Sequence, residues 1–199
     1  MSPAEARGIG TVVRMTQTAA ASPALAVDPR DLRMPRWVVV WLIISAVIQT
    51  YDACYVLLGP LSHDGGPLAG FWPGHVFYGT FDHRYGQFDA FGSAQSWANL
   101  IEVVFIVWAL LHARRWSGLV VALLVTVATF WKTVIYFLVE ASSGLEMTRQ
   151  SLERGDLVGF LMVAVLPNLF WIVFPLAVVI ALGRRVYRVG RAASAAVID

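Results

Sequence analysis

One long apolar stretch of the chain is LVVALLVTVATFWKTVIYFLV, which runs from Leu119 to Val139. Its only charged residue is Lys132, and the carboxylate of Glu140 follows directly. The hydrocarbon core of a membrane is roughly 30 Å thick, and about 20 helical residues cross it. The stretch therefore predicts a membrane-spanning helix that carries a lysine inside it and ends with Glu140 at the outer interface.

Three further stretches have the same apolar character: Trp37–Leu58, Ala94–Leu111 and Leu157–Leu182. The chain of 199 residues is 58% hydrophobic and only 14% charged, which is too apolar for a soluble domain of this size. Backbone polar groups in lipid must be satisfied within each helix. We therefore predict an all-α, integral membrane four-helix bundle.

The distribution of arginines predicts the orientation of this bundle. Arginines are frequent before the first helix, between the second and third helices, and after the fourth, whereas the loop Gly59–Ser93 holds only Arg84. Connections rich in Lys and Arg stay on the cytoplasmic side, so both termini are predicted to be cytoplasmic. This topological role accounts for the net charge of +2, and no nucleic-acid partner is expected.

Composition divides the chain into three parts. Residues 1–36 are predicted to form a mobile cytoplasmic tail, and a transit peptide in residues 1–27 is the open alternative. Residues 37–187 form the transmembrane domain, in which the aromatic-rich loop 59–93 folds as a cap. Residues 188–199 form a C-terminal tail.

The residues with metal or redox chemistry are few. A single cysteine, Cys54, excludes an internal disulfide. The four histidines have no partner at metal-ligand spacing, so neither a metal nor a cofactor is expected.

The predicted spans contain three charged side chains, Asp52, Glu102 and Lys132, and the fourth span carries the amide of Asn168. Ionisable groups in a membrane are costly and often functional. At about 1.5 Å per residue, all four lie in the outer half of the bilayer or near its midplane, which suggests one shared cavity. The alternatives are an outward-snorkelling Asp52, a structural Glu102–Lys132 ion pair, and an interhelical hydrogen bond from Asn168.

Carboxyl groups in an apolar cavity favour one type of chemistry. A protonated carboxyl can protonate an alkene, and a tryptophan face and a second carboxylate can stabilise the resulting cation. The second carboxylate can then remove another proton, so that the double bond migrates. Asp52 and Glu102 are the candidate catalytic acids, and Lys132 would keep one of them ionised. The same cavity would equally suit a binding protein without turnover.

Three motifs resemble those of the EXPERA superfamily, which includes emopamil-binding protein, the 8,7-sterol isomerase, and the sigma-2 receptor. They are Asp82, Arg84 and Tyr85 in FDHRYGQFD, the helix segment VIYFLVE, and the N-x-x-W-x-x-x-P spacing of Asn168, Trp171 and Pro175. Asp52 and Glu102 match the acids of the first and second core helices. The resemblance covers residues 37–187.

This resemblance implies a four-helix core that a sterol-like ligand enters from the bilayer, with proton transfers carried by Asp52 and Glu102. The substrate-binding residues are expected to be Tyr85, Lys132, Tyr136, Asn168 and Trp171. The expected function is an isomerase that moves a double bond, or directs a related carbocation rearrangement or cyclisation, in a sterol or other polycyclic isoprenoid.

Two alternatives to this function stay open. One is a sterol-binding or trafficking protein of the sigma-2 receptor type, and the other is a chaperone-like membrane subunit. The expected location is the endoplasmic reticulum in a eukaryote and the plasma membrane in a bacterium. Whether the protein is a monomer or a homodimer also stays open.

Overall fold

The computed structural model describes residues 27–28 and 30–198, and within this part the chain is helical and contains no strand. The α-helices, in chain order, are α1 (Arg36–Leu57), α2 (Pro73–Gly79), α3 (His83–Gly86), α4 (Ala90–Leu111), α5 (Trp116–Ser142), α6 (Glu146–Glu153), α7 (Leu157–Phe160) and α8 (Leu166–Ile198). Four of these described helices, namely α1, α4, α5 and α8, are long and apolar enough to cross a membrane. For the described residues, the prediction of an all-helical chain with four helices long and apolar enough to span a membrane is therefore confirmed.

The outer surface of the long helices is apolar. Large aliphatic side chains stand well exposed on them, with 65% exposure for Val47, 67% for Val104 and 62% for Leu124. Soluble monomers rarely expose contiguous apolar surfaces of this kind. The surface therefore fits a multi-pass membrane protein.

The long helices pack in the order α1, α4, α5 and α8. Their common core contains Leu42, Ile106, Leu119 and Leu182, all essentially inaccessible. A Cβ at Gly118 would overlap the carbonyl oxygen of His112, so only glycine lets α5 begin this close to the end of α4. Close approach through small residues is how helices associate within lipid, where apolar burial gives no driving force.

One end of the bundle is rich in arginine; we call residues 30–36, 112–116 and 184–191 the arginine end. The Met34 amide donates to the Ala113 carbonyl at 3.0 Å, which ties the segment before α1 to the connection between α4 and α5. Arg188 forms a two-pronged ion pair with Asp31, with Nη2 to Oδ1 at 2.5 Å and Nε to Oδ2 at 2.8 Å. The segment before α1, the connection between α4 and α5, and α8 therefore meet at this end.

The cap, residues 59–89, covers the opposite end of the bundle. It contains α2, α3 and two 3₁₀ turns, Gly59–Leu61 and Ala69–Phe71. The predicted cap extended to Ser93, but the Asp89 carboxylate accepts from the Gly92 amide at 2.9 Å and so starts α4 at Ala90. The loop contains short helices, and it ends four residues earlier than the predicted boundary at Ser93.

The fourth apolar stretch does not form one regular α-helix, because a π-helical turn interrupts its α-helical hydrogen bonding. The Asp156 carboxylate accepts from the Gly159 amide at 2.9 Å and caps the short helix α7, after which Leu161–Val165 form a π-helical turn. Pro167, at the second position of α8, has no amide proton to donate, which suits the start of a new helical segment. The predicted span Leu157–Leu182 therefore begins later, at Leu166.

The ends of the chain also differ from the predicted boundaries. Helix α8 continues to Ile198 and so includes residues 188–198, which belong to the predicted C-terminal tail 188–199. Of the predicted N-terminal tail, residues 1–26 and residue 29 lie outside the described residues, and residues 30–35 pack on the arginine end.

Candidate functional site

A cavity of about 430 Å³ lies between the long helices and the cap. Helices α1 to α5, the π-helical turn and α8 all contribute to its walls. Phe77 and Met162 line the cavity and are themselves 47% and 60% exposed, so it reaches the protein surface beside α2 and the π-helical turn. The cavity is therefore open at the side of the bundle at this point.

Asp52 lies on the cavity wall and is held by three donors from three elements. Its Oδ1 lies 3.1 Å from Nε2 of His75 in α2. Its Oδ2 accepts from Asn99 Nδ2 at 2.9 Å and from the Tyr85 hydroxyl at 3.4 Å. The carboxylate is part-buried, so this hydrogen bonding compensates for the solvent it has lost.

Lys132 lies on the neighbouring wall, and its charge is balanced by a carboxylate behind it. Its Nζ lies 2.8 Å from Glu102 Oε2 and also donates to Gln49 Oε1 at 3.3 Å and to Asn99 Oδ1. These three acceptors match the three protons of an ammonium group. Lys132 is thus fully satisfied without a ligand.

Glu102 is buried and lies outside the set of residues that line the cavity. Besides Lys132, its Oε2 accepts from the Thr129 hydroxyl at 2.8 Å. The structure thus brings Glu102 to the site, but behind Lys132 and Thr129 rather than on the wall.

Asn99 connects the two charged groups. A lysine only donates and a carboxylate only accepts, so the amide of Asn99 must present its oxygen to Lys132 and its nitrogen to Asp52. Asp52, Asn99, Lys132 and Glu102 therefore form one continuous network across α1, α4 and α5.

A second polar wall joins the cap to α5 and α8. Asp82 is fully buried and accepts from the Tyr136 hydroxyl at 2.6 Å. This bond uses the only hydroxyl proton of Tyr136, so the Tyr78 hydroxyl, 2.6 Å away, donates to Tyr136. Asn168 Nδ2 donates to Tyr78 at 3.4 Å and to the Ala164 carbonyl at 2.6 Å.

The tyrosines of the cap are poor acids in this setting. Burial, and next the nearby carboxylate of Asp82, raise the pKa of Tyr78 above its ordinary value. Burial, and next the charge of Asp52, likewise raise the pKa of Tyr85. Both side chains therefore stay neutral near pH 7 and serve as hydrogen-bonding groups.

Glu140 is buried at 4% exposure and accepts from Arg84 Nη2 at 2.8 Å. The sequence placed it at the outer interface, yet α5 continues past it to Ser142 and the cap folds over it. Burial works against the charge on Arg84, but the hydrogen bond to Glu140 and the charge of Asp82 together raise its pKa. This pair fastens the cap to α5.

The residues expected to bind substrate all come together at this cavity: Tyr85, Lys132, Tyr136, Asn168 and Trp171 line it. The Trp171 ring also packs against Trp41, with centroids 5.6 Å apart. The Trp171 side chain thus packs against the protein core and also lines the cavity.

Sequence reasoning missed three members of the site: His75, Tyr78 and Asn99. A signal existed for Asn99, which lies three residues before Glu102 and so shares its helix face. No such signal exists for His75 or Tyr78, because only the fold of the cap brings them to the cavity.

Compared with family models, with curated proteins and with solved structures, the chain gives no match.

Proposed function

We propose that this protein is a membrane isomerase that moves a double bond, or directs a related cyclisation, in a sterol or other polycyclic isoprenoid by proton transfer. The observation that carries the proposal is the Asp52–His75 pair at 3.1 Å, on the wall of a cavity rich in aromatic side chains. The pair can hold one proton and present it to a lipid that offers no other reactive group.

The reaction needs only that proton. The acid form of the pair gives it to one carbon of the double bond, whose π electrons form the new C–H bond, and the other carbon becomes a cation. The pair then accepts a proton from a carbon next to the cation, and the electrons of that C–H bond form the new double bond. In a cyclisation, a second double bond attacks the cation before the proton is lost.

The cavity has the groups that such a cation needs. The faces of Trp171, Tyr78 and Tyr85 offer aromatic quadrupoles to a positive centre. The charge of Lys132 would repel that centre, but Glu102 neutralises it at 2.8 Å. The neighbouring wall that carries Lys132 is therefore close to neutral, and the net attraction of a cation towards Asp52 remains.

In this proposal Asp52 transfers protons together with His75, whereas Glu102 acts as a positioning residue. Glu102 holds Lys132, Lys132 holds the oxygen of Asn99, and Asn99 in turn orients Asp52. This differs from the expectation that Glu102 carries a proton itself, because Glu102 lies behind the cavity wall.

The resemblance of the sequence motifs to the EXPERA superfamily supports the same proposal. It suggests a sterol-like substrate and proton transfer at Asp52, with Asn168 and Trp171 near the cation. With it we propose cytoplasmic termini and a membrane location in the endoplasmic reticulum of a eukaryote or the plasma membrane of a bacterium.

The test is mass spectrometry of lipids from a yeast deficient in sterol isomerase that expresses the wild-type protein, Asp52→Asn or His75→Gln. We expect the wild type to move the sterol double bond and both variants to lose the activity. Asp64→Asn is the matched control, since Asp64 is an exposed carboxylate in the cap. Unchanged sterols, with the wild-type protein present in the membrane, would rule out a sterol substrate and direct the assay to other polyunsaturated isoprenoids.

The second candidate is a lipid-binding protein without turnover. The observation that favours it is the number of donors to Asp52, because a carboxylate held by three donors is well suited to remain an anion that binds a ligand cation. Binding of a hydrophobic amine that is lost in Asp52→Asn, with no product from any isoprenoid, would favour this function.

A further inference from the structure

The arginine end contains a second cavity, far from the cap. Its volume is about 640 Å³, and its lining consists of Arg33, Met34, Arg36, Val39, Ala113 and Arg114. Half of these residues are arginines and none is acidic. The cavity therefore has the composition of an anion site with an apolar side.

The three arginines come from separate pieces of chain that the fold holds together. Arg33 precedes α1, Arg36 begins it, and Arg114 lies in the connection between α4 and α5. The hydrogen bond from the Met34 amide to the Ala113 carbonyl fixes these pieces, and Met34 itself is buried at 7% exposure. The backbone thus holds the segments that carry the three arginines next to one another.

The charge of these arginines is not balanced within the described chain. Arg188, at the same end, forms an ion pair with Asp31, whereas the described residues provide no carboxylate within ion-pair distance of Arg33, Arg36 or Arg114. All three are exposed. Three arginines that line one cavity, with no carboxylate paired to them among the described residues, are well matched to the oxygens of a phosphate.

The surroundings of the cavity identify the source of the phosphate. Arg36 begins a candidate span and Arg114 follows another, so the cavity lies at the level where a span ends. Met34 and Val39 form its apolar side, and the next residues along α1, Trp37 and Val40, are 46% and 56% exposed. An acyl chain attached to the phosphate would lie along this face of α1.

We propose that this cavity binds the headgroup of an anionic glycerophospholipid, with its phosphate between Arg33, Arg36 and Arg114. If these arginines served only to set the orientation of the protein in the membrane, their total number on one side would matter and their exact positions would not. A lipid site additionally requires that these three, and not others, surround one cavity. The proposal is independent of the isomerase function.

The experiment is native mass spectrometry of the full-length protein in detergent with phosphatidylglycerol or phosphatidylcholine of the same acyl chains. We expect the wild type to retain phosphatidylglycerol and not phosphatidylcholine. The triple variant Arg33→Gln, Arg36→Gln, Arg114→Gln should bind phosphatidylglycerol at least about tenfold more weakly, because each juxtamembrane arginine contributes appreciably to anionic lipid binding.

The matched control is Arg115→Gln, Arg184→Gln, Arg191→Gln, which removes the same charge from the same end without touching the cavity lining. It should bind phosphatidylglycerol as the wild type does. An equal loss in both triple variants, or equal retention of the two lipids, would overturn the proposal. Displacement of the lipid by inorganic phosphate or glycerol phosphate at matching concentration would overturn the lipid as the ligand and assign the cavity to a soluble phosphate.

Discussion

The guanidinium of Arg84 donates to the carboxylate of Glu140 at 2.8 Å, and both side chains are buried between the cap and α5. Glu140 also accepts from the backbone amide of Thr148 at 3.0 Å, just after the turn that follows α5. One carboxylate thus joins the cap, the end of a span and the start of α6. The pair closes the end of the bundle above the cavity.

The first prediction concerns this pair. Removing one partner of a buried ion pair leaves the other charge uncompensated and typically costs about 3–5 kcal/mol. We expect Glu140→Leu to lower the stability by about this amount in denaturant titrations in detergent, and the double variant Arg84→Met, Glu140→Leu to recover part of it. Glu153→Leu, an exposed site, is the control. A single variant as stable as the control would show that the pair does not fasten the cap.

The second prediction concerns Lys132 and Glu102. Lys132→Met leaves the buried Glu102 without its partner at 2.8 Å, so we expect it to destabilise the protein by roughly 3 kcal/mol. Lys132→Met combined with Glu102→Gln removes both charges and should be more stable than Lys132→Met alone. The same denaturant titration measures both. If the double variant is the less stable of the two, the groups do not balance each other.

The third prediction tests Asn99 as a positioning residue. Asn99→Leu has a similar volume but removes both hydrogen bonds, to Asp52 and to Lys132. In the proposed isomerase, kcat should fall by about a hundredfold, since small errors in the position of a catalytic group have effects of this size, while KM changes little. Asn99→Gln should restore part of the activity. A change in KM alone would indicate that Asn99 binds the substrate and does not orient Asp52.

The fourth prediction is a pH dependence at the arginine end. The hydrogen bond from Arg188 holds the pKa of Asp31 below its ordinary value. Because the pKa of Asp31 is lower in the folded state than in the unfolded state, the ionised carboxylate stabilises the folded protein. This stabilisation is complete above the unfolded-state pKa of about 4, and it is lost as the pH falls through the lower pKa of the folded state. We expect hydrogen exchange of residues 30–34 to accelerate below about pH 4. In Asp31→Asn this acid step should be absent, and its persistence would assign it to another group.

The spans were predictable from composition because each helix has to be apolar over a length that the bilayer dictates. The π-helical turn before α8 was not predictable, since the apolar residues Leu161–Val165 would suit an α-helix equally well. Asp52, Asn168 and Trp171 were predictable members of one cavity because their depth follows from their position in the helix.

The remaining site residues depend on features that a linear pattern does not contain. His75 is 23 residues away from Asp52 in the sequence, and only the fold of the cap brings the two side chains together. Whether Glu102 faces the cavity or lies behind Lys132 depends on the rotation of α4 and on one lysine rotamer. Depth along a helix is readable from sequence, whereas rotation and loop geometry are set by packing.

The π-helical turn Leu161–Val165 has a consequence for how this cavity could change. A π-helical turn behaves as an α-helix with one inserted residue, and one residue corresponds to about 100° of helical rotation. Losing a single codon there would turn the segment that carries Met162 relative to Asn168 and Trp171, while α8 kept the length it needs to cross the bilayer. A single-residue deletion in this turn would therefore change which side chains line the cavity and leave the membrane-spanning length of α8 unchanged.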